Sequence, residues 1–237
     1  MLGAIINAAG IALGSIVGLL FRGKVSQKLV DALMAAMGLA VVVIGVQGAV
    51  GSQDILCVVL SLAFGAMIGE LCRIDRGLDG IGDRVRSALN GKKFAQGRFA
   101  DGFITASLLF GVGTMAILGS IEAGLNHNYS ILITKTVMDT ISSAALCAAL
   151  GIGVSLSLVP ILIWEGGIAL LSGVLSPLFT PEVITEMSAV GGAIFIGMGF
   201  NMTNITERKV NVANMIPALF IPILYVPLSA WLGGLGG

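Results

Sequence analysis

Three ionisable residues stand inside stretches that are otherwise apolar. Lys135 and Asp139 fall within Tyr129–Gly151, in the run Thr134-Lys135-Thr136-Val137-Met138-Asp139-Thr140, and Glu165 falls near the middle of Val154–Leu175. Helical i,i+4 spacing puts Lys135 and Asp139 on one face, and Ser142 and Ser143 continue that polar face. If Glu165 meets the pair, one cation faces two carboxylates and one negative charge is left uncompensated. Such a cluster could hold a proton or a small cation. It could equally use Lys135 to fix an anionic group of a solute while a carboxylate takes the proton. A plainer reading stays open beside these: a self-neutralising Lys135–Asp139 pair, with Glu165 a neutral acid bonding between helices. Ionisable groups are costly in hydrocarbon, so inside a spanning helix they are functional candidates by default.

Other polar groups belong to the same inventory. Asn7, Asn201, Asn211 and Asn214 lie in or beside apolar stretches, and each could be a ligand or a helix-to-helix hydrogen bond. Pro217, Pro222 and Pro227 interrupt the last apolar stretch, and Pro160 the sixth; each removes a backbone donor and frees carbonyls. Gly166-Gly167 after Glu165 could loosen the backbone there. Glu70, Asp101, Glu122 and Glu186 fall near helix ends, within reach of water. Cys57, Cys72 and Cys147 have no metal or disulfide spacing, and His127 is the single histidine, so no metal or cofactor is expected. No nucleophile elbow, zinc-protease motif or phosphate loop occurs. The chain is expected not to be an enzyme and not to drive transport with a nucleotide of its own.

The elements that must position these residues are set by hydropathy. Of 237 residues, 56% are hydrophobic and 11% charged, against about 25% charged in soluble domains. A spanning helix needs about 20 largely apolar residues. Eight stretches qualify: Leu2–Phe21, Leu29–Val50, Ile55–Cys72, Phe99–Ala123, Tyr129–Gly151, Val154–Leu175, Ile184–Ile205 and Val210–Leu232. The expected fold is all-α, a polytopic membrane helix bundle of about eight transmembrane helices forming a single integral membrane domain over 1–237. Gly151-Ile152-Gly153 is the weakest boundary, either a tight hairpin or an irregularity in one segment. Residues 73–98 form the one long connection. Leu78, Ile81, Val85 and Leu89 recur there at helical spacing opposite Asp79, Asp83, Arg84 and Arg86, which predicts an amphipathic surface helix, with a plain solvated linker as the alternative.

Charge fixes the expected orientation. With the N-terminus outside, the loops after the first, third and seventh helices hold 12 of the 13 Lys and Arg residues, and Lys135 is the exception. This follows the positive-inside rule and places both termini outside a cytoplasmic-type membrane. Basic residues follow the first apolar segment instead of preceding it, the reverse of a signal peptide. Glycine-marked helices recur in the second, fourth and seventh positions, each followed by a short turn and another helix. An inverted repeat of the transporter kind would have this pattern, although glycine-rich membrane helices resemble one another in any case. Gly10, Gly14 and Gly18 form a small-residue packing face, for another helix of the chain or for a second protomer in a homo-oligomer. Zero net charge gives no reason to expect nucleic acid.

Over nearly its full length the chain resembles the DUF554 group of uncharacterised bacterial membrane proteins. The resemblance rests on Gly3-Ala4-Ile5-Ile6-Asn7, on Ser107–Phe110 with Val112-Gly113 and Met115–Ile121, and on Thr134-Lys135-x3-Asp139. It continues in Gly166, Ser188–Gly192, Gly197-x-Gly199 and Asn214-x2-Pro217-Ala218-Leu219. It implies a transporter-like inner-membrane protein without an established substrate. The pattern has glutamine where this chain has Glu165, so it carries a hydrogen-bonding role to that position and not a charge-dependent one. The expectation is a secondary transporter or ion-conducting protein for a small solute, coupled to H⁺ or Na⁺. Its midplane site would draw on Lys135, Asp139, Glu165, Ser142, Asn7, Asn201 and Asn214. The alternative is a non-transporting scaffold whose basic loop binds anionic lipid or protein.

Overall fold

The computed structural model describes residues 1–22, 27–78, 80, 99–203 and 208–234, and these are helical with no strand among them. In chain order the elements are α1 (Leu2–Arg22), α2 (Gln27–Val50), α3 (Ile55–Cys72), α4 (Phe99–Gly111), α5 (Thr114–Leu125), α6 (Ser130–Leu150), α7 (Gly153–Leu156), α8 (Leu158–Leu170), α9 (Ser172–Leu175), α10 (Pro181–Thr203), a 3₁₀ helix (Val212–Phe220) and α11 (Ile221–Gly234). Residues 74–78 add a helical turn after α3. The amphipathic helix expected further along 73–98, with Ile81, Arg84, Val85, Arg86 and Leu89, lies outside the described residues.

Six helical segments among the described residues are long and apolar enough to cross a membrane, and a seventh arises if the bent α4–α5 pair is one span. Each of the eight stretches read from the sequence coincides with helix; α2 contributes a shorter apolar core, Met34–Val50. The polarity is that of a membrane bundle. α1 turns Gly3, Asn7, Gly10, Gly14 and Gly18 inward while Leu13, Ile16, Val17 and Leu20 are exposed. α6 likewise exposes Ile133, Val137, Met138 and Ile141 and buries Lys135, Asp139 and Ser143. Large apolar side chains outside and small or polar ones inside suit a solvent of lipid tails.

Two tightly packed pairs form the frame. α1 lies along α6, and a Cβ at Gly14 would overlap the Thr140 carbonyl oxygen; only glycine permits that approach. α2 lies along α10, where Gly45 and Gly192 meet backbone to backbone. Both pairings stay within the chain, so the first-helix glycine stripe packs against another helix of the same chain.

α3 runs unbroken from Ile55 to Cys72, whereas the fourth, sixth and last spans are irregular. The fourth stretch, expected as one helix, is cut at Gly111-Val112-Gly113 and bent by 55° between α4 and α5. Gly113 is extended there, and Trp164 Nε1 donates to the Gly111 carbonyl at 3.0 Å, satisfying a group the break sets free. Gly151 takes φ +91°, so the fifth and sixth stretches are joined by a tight turn. The sixth span is interrupted at Ser157, and Pro160 sits harmlessly in the first turn of α8 because that turn needs no N–H donor. Pro217 lies in the 3₁₀ helix, ahead of α11, which has Pro227 inside it.

The ends of the bundle sort by charge. Lys209 Nζ is 3.6 Å from Asp101 Oδ2, and Asn211 Nδ2 donates to Asp75 Oδ2 at 3.1 Å. A Cβ on Gly151 would collide with the Arg22 guanidinium. The ends of α1, α3, α4, α6 and α10 thus meet at one basic end. At the other, Glu186 reaches the α2–α3 turn and Tyr225 OH donates to Asp54 Oδ2 at 3.0 Å.

Candidate functional site

The α1 glycine stripe carries Asn7 on the same face, and the close approach to α6 brings its amide to Asp139. Asn7 Nδ2 donates to Asp139 Oδ2 at 3.0 Å and to Glu165 Oε1 and Oε2 at 2.9 and 3.1 Å. Lys135 Nζ pairs with Asp139 Oδ2 on its own helix and lies 3.1 Å from Glu165 Oε1 on α8. Gly166 lets α8 approach Met1 and, in α1, Ala4. Three helices therefore deliver four polar side chains to one point: Asn7 and Glu165 are fully buried, and Lys135 and Asp139 are 5% and 7% exposed. The Phe110 ring centroid is 6.0 Å from Lys135 Nζ.

Charge and hydrogen bonding in this tetrad are unevenly matched. One ammonium and one amide donate to two carboxylates, leaving a surplus negative charge when both acids are ionised. Asn7 Oδ1 is buried without a hydrogen-bond partner. A buried carboxylate is tolerated when paired and hydrogen-bonded, and here both acids are. The surplus could be neutralised by a proton on either acid. The protonated acid's O–H would then suit an amide oxygen such as Asn7 Oδ1. The apolar cavity of about 530 Å³ between α4, α8 and the 3₁₀ helix is lined by none of the four.

The structure thus puts Lys135 and Asp139 on one face, as their i,i+4 spacing predicts, and brings Glu165 and Asn7 to them. Three other expectations need correction. Ser142 is half-buried and makes no hydrogen bond to the tetrad; Ser143 is the inward residue, and its Oγ donates to the Ile11 carbonyl at 3.2 Å. Asn201 clamps Val210, donating to its carbonyl at 2.7 Å and accepting from its N–H at 2.8 Å, which closes the chain between α10 and the 3₁₀ helix. Asn214 ties the basic end: its Nδ2 donates to Glu70 Oε2 at 2.7 Å and its Oδ1 accepts from Asp75 N at 2.9 Å. The last two spans therefore supply nothing to the tetrad; α1 takes their place. Nor does Gly166-Gly167 loosen α8, which runs unbroken to Leu170.

At the basic end, a hydrogen bond from the Arg76 N–H, aided by Asn211 and Asn214, holds the Asp75 carboxyl below the usual carboxylate range. Glu186, expected near a helix end within reach of water, is instead buried, 3% exposed. Its Oε2 accepts from Ser52 Oγ at 2.7 Å, and its Oε1 accepts from Gln53 N at 2.7 Å and Asp54 N at 3.1 Å. Its place one turn inside α10 gave no signal of this, because the partners lie in a distant loop.

The family pattern described as "Protein of unknown function (DUF554)" matches residues 2–227. The chain belongs to the DUF554 family. The resemblance read from its motifs is thereby borne out. It is 31% identical over 226 residues to the "Uncharacterized membrane protein YdfK" of Bacillus subtilis (strain 168), covering 94% of each chain. It is 30% identical over 232 residues to the "Uncharacterized protein YqgA" of Escherichia coli (strain K12), covering 97% of each. No solved structure matches. With its apolar helices, this DUF554 chain is a multi-pass membrane protein.

Proposed function

We propose that this DUF554 protein is a secondary transporter or ion-conducting protein for a small solute. In this reading the Asn7–Lys135–Asp139–Glu165 tetrad binds and releases a proton during the cycle. The observation that carries the proposal is the burial of three ionisable groups with a surplus negative charge where three helices meet. Such a group is expensive in lipid and is the usual mark of a proton or ion path. Glycine-lined close packing and the bent α4–α5 span fit the same class, as would an inverted repeat. The proposal includes a place in the bacterial cytoplasmic membrane with both termini outside, and no enzymatic activity.

Flux through proteoliposomes tests it. Asp139→Asn should abolish flux of the solute or of protons while elution and helical content are kept. Glu165→Gln keeps the hydrogen bond to Asn7 and removes the surplus charge; it should retain flux and flatten its dependence on pH. Unchanged flux in Asp139→Asn removes the tetrad from the mechanism.

One observation favours a second reading. The four side chains largely satisfy one another, and the large cavity does not touch them, as in a static ion cluster that pins three helices of a scaffold. That reading has Asp139→Asn lower stability alone, and function depend on the basic cytoplasmic segment around Arg84 and Arg86.

A further inference from the structure

The apolar cavity makes a separate case. Its lining runs from Leu78, beside the basic end, along Phe103, Ser107, Ile161 and Trp164 to Leu175 near the opposite end. It is therefore elongated along the bundle, in the direction of a lipid chain. Its volume of about 530 Å³ falls within the range of about 300–1,000 Å³ usual for ligand sites. The wall is hydrocarbon almost throughout. Ser107 Oγ is the exception, and it is buried with no hydrogen-bond partner. The mouth opens among exposed apolar side chains, since Ile163 and Phe220 line the cavity while remaining 69% and 44% exposed; in a membrane protein such a surface meets lipid. Water does not fill so apolar a space, and the medium at its mouth is lipid.

Charge selects among lipids. Leu78 closes the helical turn at 74–78, and Arg73 and Arg76, both exposed, precede it by five and two residues. Arginines at the headgroup level attract anionic lipid, and guanidinium suits a phosphate geometrically.

We propose that this cavity is a binding site for an anionic phospholipid, with one acyl chain lying between α4, α8 and the 3₁₀ helix and its phosphate held by Arg73 and Arg76. α8 then has two working faces, Glu165 towards the tetrad and Ile161, Trp164 and Gly167 towards the lipid. The assignment stands whether or not the tetrad moves protons.

Trp164 is the reporter, and Trp231 is the other tryptophan of the chain. The Trp231→Phe protein is placed in nanodiscs with increasing fractions of phospholipid brominated on its acyl chains. Trp164 emission should fall along a saturating curve. Half-effect should come at a several-fold lower fraction for phosphatidylglycerol than for phosphatidylcholine, and Arg73→Gln/Arg76→Gln should erase that preference. Gly167→Leu, in the same background, should remove the saturating component. A Cβ there meets nothing within 4 Å, so the side chain enters open space; Ser107→Leu fills the cavity from the opposite wall and should do the same. The Trp164→Phe protein, reporting from exposed Trp231, should show graded quenching alone. Graded quenching of Trp164, saturation that survives both filling variants, equal response to the two headgroups, or saturation with brominated free fatty acid only would each overturn the assignment.

Discussion

Replacing Lys135 by Met is the sharpest test of the tetrad. The variant keeps an unbranched apolar stem in the same space and removes the cation that faces both Asp139 and Glu165. Breaking a buried ion pair by deleting one partner costs about 3–5 kcal/mol, because the other charge is left uncompensated. Here two carboxylates lose their cation, and the Asn7 amide is the one remaining tetrad donor to both. The expected loss is therefore at the upper end, about 5 kcal/mol. Neutralising the acids should reverse it. Lys135→Met/Asp139→Asn/Glu165→Gln has no buried charge at this point, and uncharged replacement of a buried ionic cluster is often close to neutral. Reversible unfolding in mixed micelles, followed by helical content, gives the free energies of the single, double and triple variants as a cycle. A loss below about 1 kcal/mol in Lys135→Met, the level of exposed ion pairs, would refute the burial argument. So would a triple variant no more stable than the single one.

Three other outcomes follow from the packing. Gly14→Leu drives a side chain into the Thr140 carbonyl; overpacking costs about 1–3 kcal/mol or more, and separating α1 from α6 should remove flux as well, whereas Gly77→Ala, with open space around it, should unfold like the parent. Asn201→Ala leaves both backbone groups of Val210 without this partner and should cost about 1–3 kcal/mol in the same unfolding assay while flux is kept. Reporter domains fused at Ser52 or His127 should be active only in the extracytoplasmic form, and cytoplasmic activity at either position would refute the orientation.

Much of the architecture was legible because lipid enforces simple rules. Hydrophobic length located the spans, and the one-sided Lys and Arg separated the two ends that Asp101–Lys209 and Glu186–Ser52 now mark. The i,i+4 spacing predicted the Lys135–Asp139 face because both lie on one helix. The partner across the interface was harder. Asn7 was visible as a polar group in an apolar helix, but its meeting with Asp139 depends on which helix the Gly3–Gly18 stripe packs against, and hydropathy does not encode helix pairing. Asn201 and Asn214 show the converse error. Their side chains satisfy backbone or carboxylate groups at the basic end, and composition cannot tell such a bond from a ligand contact. The cut at Gly111-Val112-Gly113 was marked by glycine, but the bond from Trp164 of the sixth span to the Gly111 carbonyl crosses between helices and left no mark in the local sequence.

The location of these breaks bears on how the protein could work. α1 with α6 and α2 with α10 are joined through glycines whose Cβ positions are occupied by the facing helix, so neither pair can slide without a clash. The segments around the apolar cavity are different in kind: α4–α5 is bent, the sixth span is interrupted at Ser157, and Val212–Phe220 is a 3₁₀ helix. Motion is cheapest where helical hydrogen bonding is already interrupted and packing is open. α8 belongs to this second group yet carries Glu165, the one tetrad member outside the α1–α6 pair. A displacement of α8 would therefore part Glu165 from Asn7 and Lys135 while leaving Lys135–Asp139 intact. In the proposed cycle, gain or loss of a proton at the tetrad and the contents of the cavity would act on the same helix, and Gly167→Leu should alter the rate of flux without touching any charged group.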